Sequence, residues 1–177
     1  LQDLERFINE PQVEMDPIVR AALVHYQFET AHPFLDGNGR LGRLLITLML
    51  INDGVLHSCL FYPSFQFKKN RSEYYRQLTS VRERGTYEEW IEFFCNSLLE
   101  SAKDSVGSLK NLVDLHNRST ATITENLGRT AANGQRLLGI LEEHPIVDTA
   151  FIAAQLDIGR STASSLVKSF EELGILR

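Results

Sequence analysis

The residues best suited to chemistry stand together at positions 32–43, which read HPFLDGNGRLGR. His32 supplies an imidazole, the side chain most often used as a general base near neutral pH. Gly37 and Gly39 can take backbone angles that other residues avoid, so the turn between them can aim successive N–H groups at one anion. A helix that starts there adds the partial positive charge of its N-terminus. Arg40 and Arg43 are three residues apart and project from one side of the first turns. Their planar forks match phosphate oxygens in pairs. Asp36, beside this nest, would repel a phosphate unless a cation lay between them. That points to Mg²⁺, which binds one or two carboxylates together with substrate phosphates. The sum is a nucleotide-phosphate site with a base poised to activate an incoming nucleophile.

Two other motifs are excluded. The run GNGRLG (37–42) formally fits the dinucleotide-binding G-x-G-x-x-G, but that pattern needs a preceding strand within a βαβ unit. Here a helical stretch and a proline loop precede it. The phosphate-binding G-x-x-x-x-G-K-[ST] pattern does not occur.

The elements that must hold this stretch read as helices. Asp16-Pro17 is a helix start, an N-cap followed by proline at the first position. Val19, Leu23, Tyr26 and Phe28 recur at helical spacing up to about Ala31, and His32-Pro33 ends the run. A second helix is expected from near Gly39 to about Asp53, stopping at Gly54. It is apolar almost all round, so it is expected to be the buried central helix. Residues 61–71 read as a loop or short element, and SEYYRQLTSVRER as a helix broken by Gly85. Thr86 to Glu89 form a capping box that opens a further helix, with helical patterning to about residue 127. GRTAANG (128–134) is small, polar and glycine-bearing, and reads as a linker. Beyond it three short helices are expected, the last two joined by a tight DIG turn in the helix-turn-helix pattern. Gly174 suits a turn into a strand, as in a winged helix, with the chain stopping before a wing is complete.

The chain of 177 residues is 43% apolar, enough for a packed core, and its formal net charge of −5 argues against a chain built to coat nucleic acid. Its two cysteines, Cys59 and Cys95, lack metal or disulfide spacing, which fits a reducing, cytoplasmic setting. No signal peptide is evident, and the apolar run Leu44 to Ile51 is too short to cross a bilayer. The chain opens at Leu1 rather than methionine, so an upstream part is expected to be missing.

HPFLDGNGRLGR resembles the Fic motif HPFx[DE]GNGRxxR with no departure at any position. AALVHYQFETAHPF before it, RLLITLML after it and RSEYYRQLTSVRERGTYEEWIEFF further on resemble the same family, over about residues 1–105. The resemblance implies an all-α Fic core. It also implies transfer of AMP from ATP to a Ser, Thr or Tyr hydroxyl of a protein, with release of pyrophosphate. By resemblance His32 is the general base and Asp36 the Mg²⁺ ligand. Gly37, Asn38 and Gly39 form the anion hole, Arg40 contacts the β-phosphate and Arg43 the γ-phosphate. Tyr75 lies near the adenine, and Phe34 is a core anchor for the loop. The expected partners are ATP, a protein substrate and the chain itself through self-modification.

The organisation implied is a Fic core with its trailing helix over 1–127, a linker at 128–133 and a winged-helix-like module at 134–177. Other readings keep the fold and change the chemistry to phosphoryl or phosphocholine transfer or AMP removal. Gly39 speaks against the phosphate-transferring Doc type, which has lysine there. A toxin restrained by a partner antitoxin and a transcription regulator with a Fic sensor are further readings. No clear hairpin sequence, of the kind that forms the family's target-docking flap, is legible before the motif. ATITEN (121–126) misses the family's inhibitory [ST]xxxE[GN] pattern because Ala121 stands at the Ser/Thr position. Residues 134–177 carry four basic and six acidic residues, so DNA binding through Arg160, Ser161, Thr162, Ser164 and Ser165 is not favoured over a structural or protein-interaction role. The basic residues Lys68, Lys69, Arg71, Arg76, Arg82 and Arg84 read as a solvated helix face. His25 reads as a satisfied core histidine.

Overall fold

The computed structural model describes residues 1–10 and 15–176. Among them every regular element is a helix. In order these are α1 (Gln2–Asn9), α2 (Pro17–Ala31), α3 (Asn38–Asn52), α4 (Ser64–Lys69), α5 (Arg71–Arg84), α6 (Tyr87–Asn126), a 3₁₀ turn (Gly128–Thr130), α7 (Ala131–Glu143), α8 (Thr149–Leu156) and α9 (Arg160–Glu172). None is long and apolar enough to cross a membrane. The chain divides into two compact units, Leu1–Ser108 and Leu109–Arg177.

The first unit is built on the antiparallel pair α2 and α3, which pack on each other more extensively than any other two elements. Asp16 starts α2 as expected: its Oδ1 accepts from the N–H groups of Ile18 (2.8 Å) and Val19 (3.2 Å), with Pro17 at the first position. Ala21 and Ala22 let neighbours approach α2 closely, and the Trp90 indole N–H of α6 donates to the Ala22 carbonyl at 3.0 Å. Around them Tyr26, Ile46, Leu50, Phe67, Tyr74, Trp90 and Phe94 form the core. The far ends of the pair are joined by Arg20 and Asp53, whose guanidinium Nη2 donates to both carboxylate oxygens at 2.5 and 2.6 Å. Both side chains are almost enclosed, at 13% and 12% exposure.

One expectation for this unit changes. α3 is not buried all round: Leu41, Leu44 and Leu48 form an exposed stripe at helical spacing, while Gly42, Ile46, Met49 and Leu50 face inward. Apolar residues on every face leave open which face a neighbour covers, and here α2 covers one. Within the stretch read as a loop or short element, residues 64–69 form the short helix α4, which buries Gln66 and Phe67.

The second unit is assembled from the C-terminal part of α6 with α7, α8 and α9, around Ile123, Leu137, Ile152, Leu156, Ala163, Leu166 and Phe170. The stretch expected as a linker is the 3₁₀ turn and the start of α7. Gly134 is buried rather than flexible: a Cβ there would sit 2.8 Å from Ile123 Cγ2 and 2.8 Å from Leu127 Cδ1. Its lack of a side chain serves close helix packing. The helix-turn-helix is present as α8, a turn with Asp157 at φ 55°, and α9. The strand expected after Gly174 is not formed. Gly174 takes φ 70°, and the N–H groups of Ile175 and Leu176 turn back to the Phe170 carbonyl at 2.9 and 3.2 Å. That closes α9 with a glycine cap instead of starting an extended segment.

The Arg20–Asp53 pair gives a direct test of the α2–α3 frame. Asp53→Asn leaves a nearly enclosed guanidinium without its counter-ion and is expected to destabilise the chain by roughly 3 kcal/mol. Denaturant titration measures this, and a loss below about 0.5 kcal/mol would show that the pair is a surface contact in energetic terms.

Candidate active site

The candidate residues lie at the corner between α2 and α3, and local rules place each of them. His32 caps α2: its N–H bonds the Phe28 carbonyl at 3.0 Å, and its backbone is left-handed at φ 43°, ψ 56°. Few non-glycine residues adopt that conformation, and it concentrates at functional sites. The histidine ring is exposed. The chain then passes Pro33 and turns through Gly37, left-handed at φ 83°, directly into α3.

Asn38 is what holds the turn. Its side chain is 2% exposed and fully engaged: Oδ1 accepts from the Phe34 N–H at 2.9 Å, and Nδ2 donates to the Phe34 carbonyl at 2.6 Å. The Asn38 amide is therefore committed to the loop, and what it can offer an anion is its backbone N–H. Phe34 was expected as a core anchor, yet its ring is 51% exposed and touches only the edge of the core through Phe28, with centroids 6.4 Å apart. Its backbone, not its ring, is the anchored part.

No side chain caps the N-terminus of α3. Its first N–H groups, at Asn38, Gly39 and Arg40, are free of the helix's own carbonyls and form the nest inferred from the sequence. Asp36 Oδ1 accepts from the Gly37 N–H at 2.6 Å, while Oδ2 has only Arg40 Nη2 at 3.4 Å. The two side chains are 93% and 78% exposed, so both are free to meet a ligand. Arg43 is half-buried and folds back over Gly39, where a Cβ would lie 3.0 Å from its Nη1. The one loop thus gathers His32, Asp36, Gly37, Asn38, Gly39, Arg40 and Arg43. An exposed carboxylate whose second oxygen has only a long contact with Arg40, beside an uncapped helix N-terminus, fits a Mg²⁺–phosphate group.

Tyr75 comes from elsewhere, on α5. It is 52% exposed, with its ring edge-on to Tyr74 at 5.2 Å and the Arg71 guanidinium 5.5 Å from its centroid. Tyr74 itself is buried and ties α5 to α2 through a 2.9 Å hydrogen bond between its hydroxyl and His25 Nε2. His25 is a core residue as expected, stacked on Phe67 and Trp90 at 5.8 and 6.1 Å, but it is only half satisfied, its Nδ1 being buried without a hydrogen-bond partner. Burial lowers its pKa from 6.5 to about 4, opposed by the Gly42 backbone and reinforced by the charge of Arg43. Burial likewise keeps the Tyr74 phenol protonated well beyond its usual range, and the Glu29 carboxylate adds to this. The basic residues of α4 and α5 form an exposed face, where Arg76 pairs with Glu73 at 2.7 Å and Arg84 donates to Ser80 at 2.6 Å.

Two residues behind the site were not singled out in the sequence. Glu29 is half-buried one turn before His32, and burial raises its pKa while the charges of Arg43 and His32 oppose the rise. Gly42 lies against it: a Cβ there would be 2.6 Å from Glu29 Oε1 and 3.2 Å from His25 Cε1. The signals were present, a carboxylate at helical spacing from the base and a glycine inside a helix, but each alone is common.

The Fic/DOC family model matches residues 1–50. Among curated proteins the chain is similar to a protein adenylyltransferase fic-1 of Caenorhabditis briggsae, 34% identical over 111 residues, which are 62% of this chain and 20% of that protein. The Caenorhabditis elegans protein of the same name is 33% identical over 115 residues, 64% of this chain and 21% of its own. A protein adenylyltransferase Fic of Drosophila ananassae is 36% identical over 97 residues, 54% and 18% respectively. The chain thus spans about a fifth of the length of the curated relatives it matches.

Two outcomes test the site's construction. Asn38→Ala, which leaves the Phe34 backbone groups without partners, is expected to cost about 2 kcal/mol in denaturant unfolding. An unchanged midpoint would show that the turn holds without the amide. The second concerns acid. Between pH 6.5 and about 4 the unfolded chain protonates His25 and the native state does not, so stability falls as pH drops through that window. The loss amounts to about 3 kcal/mol. Glu29, whose native pKa is raised, offsets part of it by holding its proton to higher pH than the unfolded chain does. Unfolding midpoints of the parent and His25→Gln at about pH 7 and about pH 5 check this, and equal slopes for the two would refute it.

Proposed function

We propose, for a chain that belongs through its residues 1–50 to the Fic/DOC family, that it transfers AMP from ATP to a hydroxyl of a protein and releases pyrophosphate. The observation that carries this reading is the juxtaposition of an exposed histidine in a left-handed cap with an uncapped helix N-terminus, an exposed carboxylate and two arginines. The names of the similar proteins in nematodes and flies support the same activity.

In this mechanism the free backbone N–H groups of Asn38, Gly39 and Arg40, presented by the turn at Gly37, receive the phosphates. Arg40 and Arg43 bind the β- and γ-phosphates and so leave the α-phosphorus facing the loop. His32 takes the proton from the target hydroxyl. That oxygen bonds to the α-phosphorus, and the bond from phosphorus to the oxygen bridging to the β-phosphate breaks. Pyrophosphate departs with the electron pair, and AMP remains on the protein. The arginines and the helix N-terminus stabilise the charge that develops on the phosphates, which is the larger part of catalysis in phosphate chemistry. Mg²⁺, held by Asp36, would neutralise charge on the α- and β-phosphates. Tyr75 supplies an exposed aromatic face for the adenine. Gly39 leaves no lysine at the position that the phosphate-transferring relatives use.

Intact-mass spectrometry after incubation with ATP and Mg²⁺, beside His32→Ala, tests this on the chain itself. An AMP-sized gain in the parent, absent from His32→Ala, is the expected result. A phosphate-sized gain would replace the reading with phosphoryl transfer.

A further inference from the structure

The half-buried carboxylate of Glu29 has no role in the mechanism above, and its surroundings call for one. Glu29 Oε1 is shut off from solvent and accepts no hydrogen bond. A carboxylate oxygen in that position is costly unless a positive charge lies near. The charges that act on Glu29 are those of Arg43 first and His32 second. The oxygen is kept there by packing: Gly42, on the inner face of α3, leaves exactly the room it occupies, since a Cβ at that position would fall 2.6 Å from Oε1 and 3.1 Å from Phe28 Cδ1. Arg43 forms no ion pair with Glu29. Its guanidinium is turned over Gly39 instead, against the start of α3.

We propose that Glu29 is a positioning residue for Arg43, set in place by the missing side chain at Gly42. The carboxylate attracts the guanidinium toward the inner side of α3 without taking up its N–H groups. The arginine is thereby confined while its fork stays open to phosphate, which lowers the ordering cost of binding. A carboxylate bonded directly to Arg43 would compete with the ligand, and an apolar residue at position 29 would let the long side chain range through solvent. The inference rests on the reading of Arg43 as a triphosphate contact.

The test is Mg²⁺–ATP binding by calorimetry, with AMP transfer followed in parallel, for the parent, Glu29→Gln, Arg43→Gln and the double variant. Glu29→Gln keeps the size of the side chain and removes only its charge. It is expected to weaken ATP binding about tenfold. The KM for ATP should rise with little change in kcat, and the unfolding midpoint should not fall, because a buried charge has been removed. Added to Arg43→Gln it should cost nothing further, since Glu29 acts through that guanidinium. Gly42→Ala, which drives the carboxylate from its place, should reproduce the loss in ATP binding. Unchanged or tighter ATP binding in Glu29→Gln, or losses that add in the double variant, would overturn the proposal. AMP transfer with unchanged affinity in Glu29→Gln defeats this inference alone. ATP binding without transfer in the parent defeats the proposed function, and the affinities still decide the role of Glu29. A parent that binds no ATP defeats both.

Discussion

A single primary amide holds the site together. Asn38 offers one acceptor and one donor to the two backbone groups of Phe34, at 2.9 and 2.6 Å, and so closes the loop between α2 and α3. Among side chains of that length only an amide can do both: an aspartate accepts twice and an alanine neither accepts nor donates. With the loop tied internally, the first N–H groups of α3 need no side-chain cap and stay free for a ligand. Gly37 contributes the left-handed turn that brings the chain into the helix. His32 and Asp36 take their places from the same closure, one just before it and one inside it.

Beneath the loop the aromatic core serves as its footing. His25 is neutral, wedged between Phe67 and Trp90 and bonded to Tyr74, so α2 is fastened to α4, α5 and α6 at one residue. The Trp90 indole on the Ala22 carbonyl repeats the attachment close by. These contacts fix the axis of α2, and Arg20–Asp53 fixes the opposite end of the α2–α3 pair. The corner that carries the chemistry is thus the free end of a frame fixed elsewhere.

Much of this was legible in the sequence where short-range rules apply. Asp16-Pro17, Gly85 and the DIG turn mark helix boundaries through caps and backbone angles, and the structure places boundaries at all three. The motif residues could be grouped because they are contiguous. What could not be read depends on neighbours remote in sequence. The leucines of α3 at positions 41, 44 and 48 are as apolar as those facing α2, and nothing in their pattern says that they stay exposed. Gly134 reads as part of a linker and is a packing contact, because Ile123 of α6 and Leu127 just beyond that helix come to meet it. Nothing in the sequence marks Glu29, because it is Gly42, thirteen positions on, that admits it to the interior.

The groups assigned to chemistry, Tyr75 apart, occupy twelve consecutive positions. Their relative placement is set by one turn and the first turns of one helix rather than by long-range docking, so the catalytic equipment is as close to a continuous epitope as a site can be. Under the proposed reaction, discrimination among protein targets cannot reside in that cassette, which would present little beyond phosphate-binding groups and a base. It falls to the surfaces around it, and these can diverge without disturbing the reaction they serve.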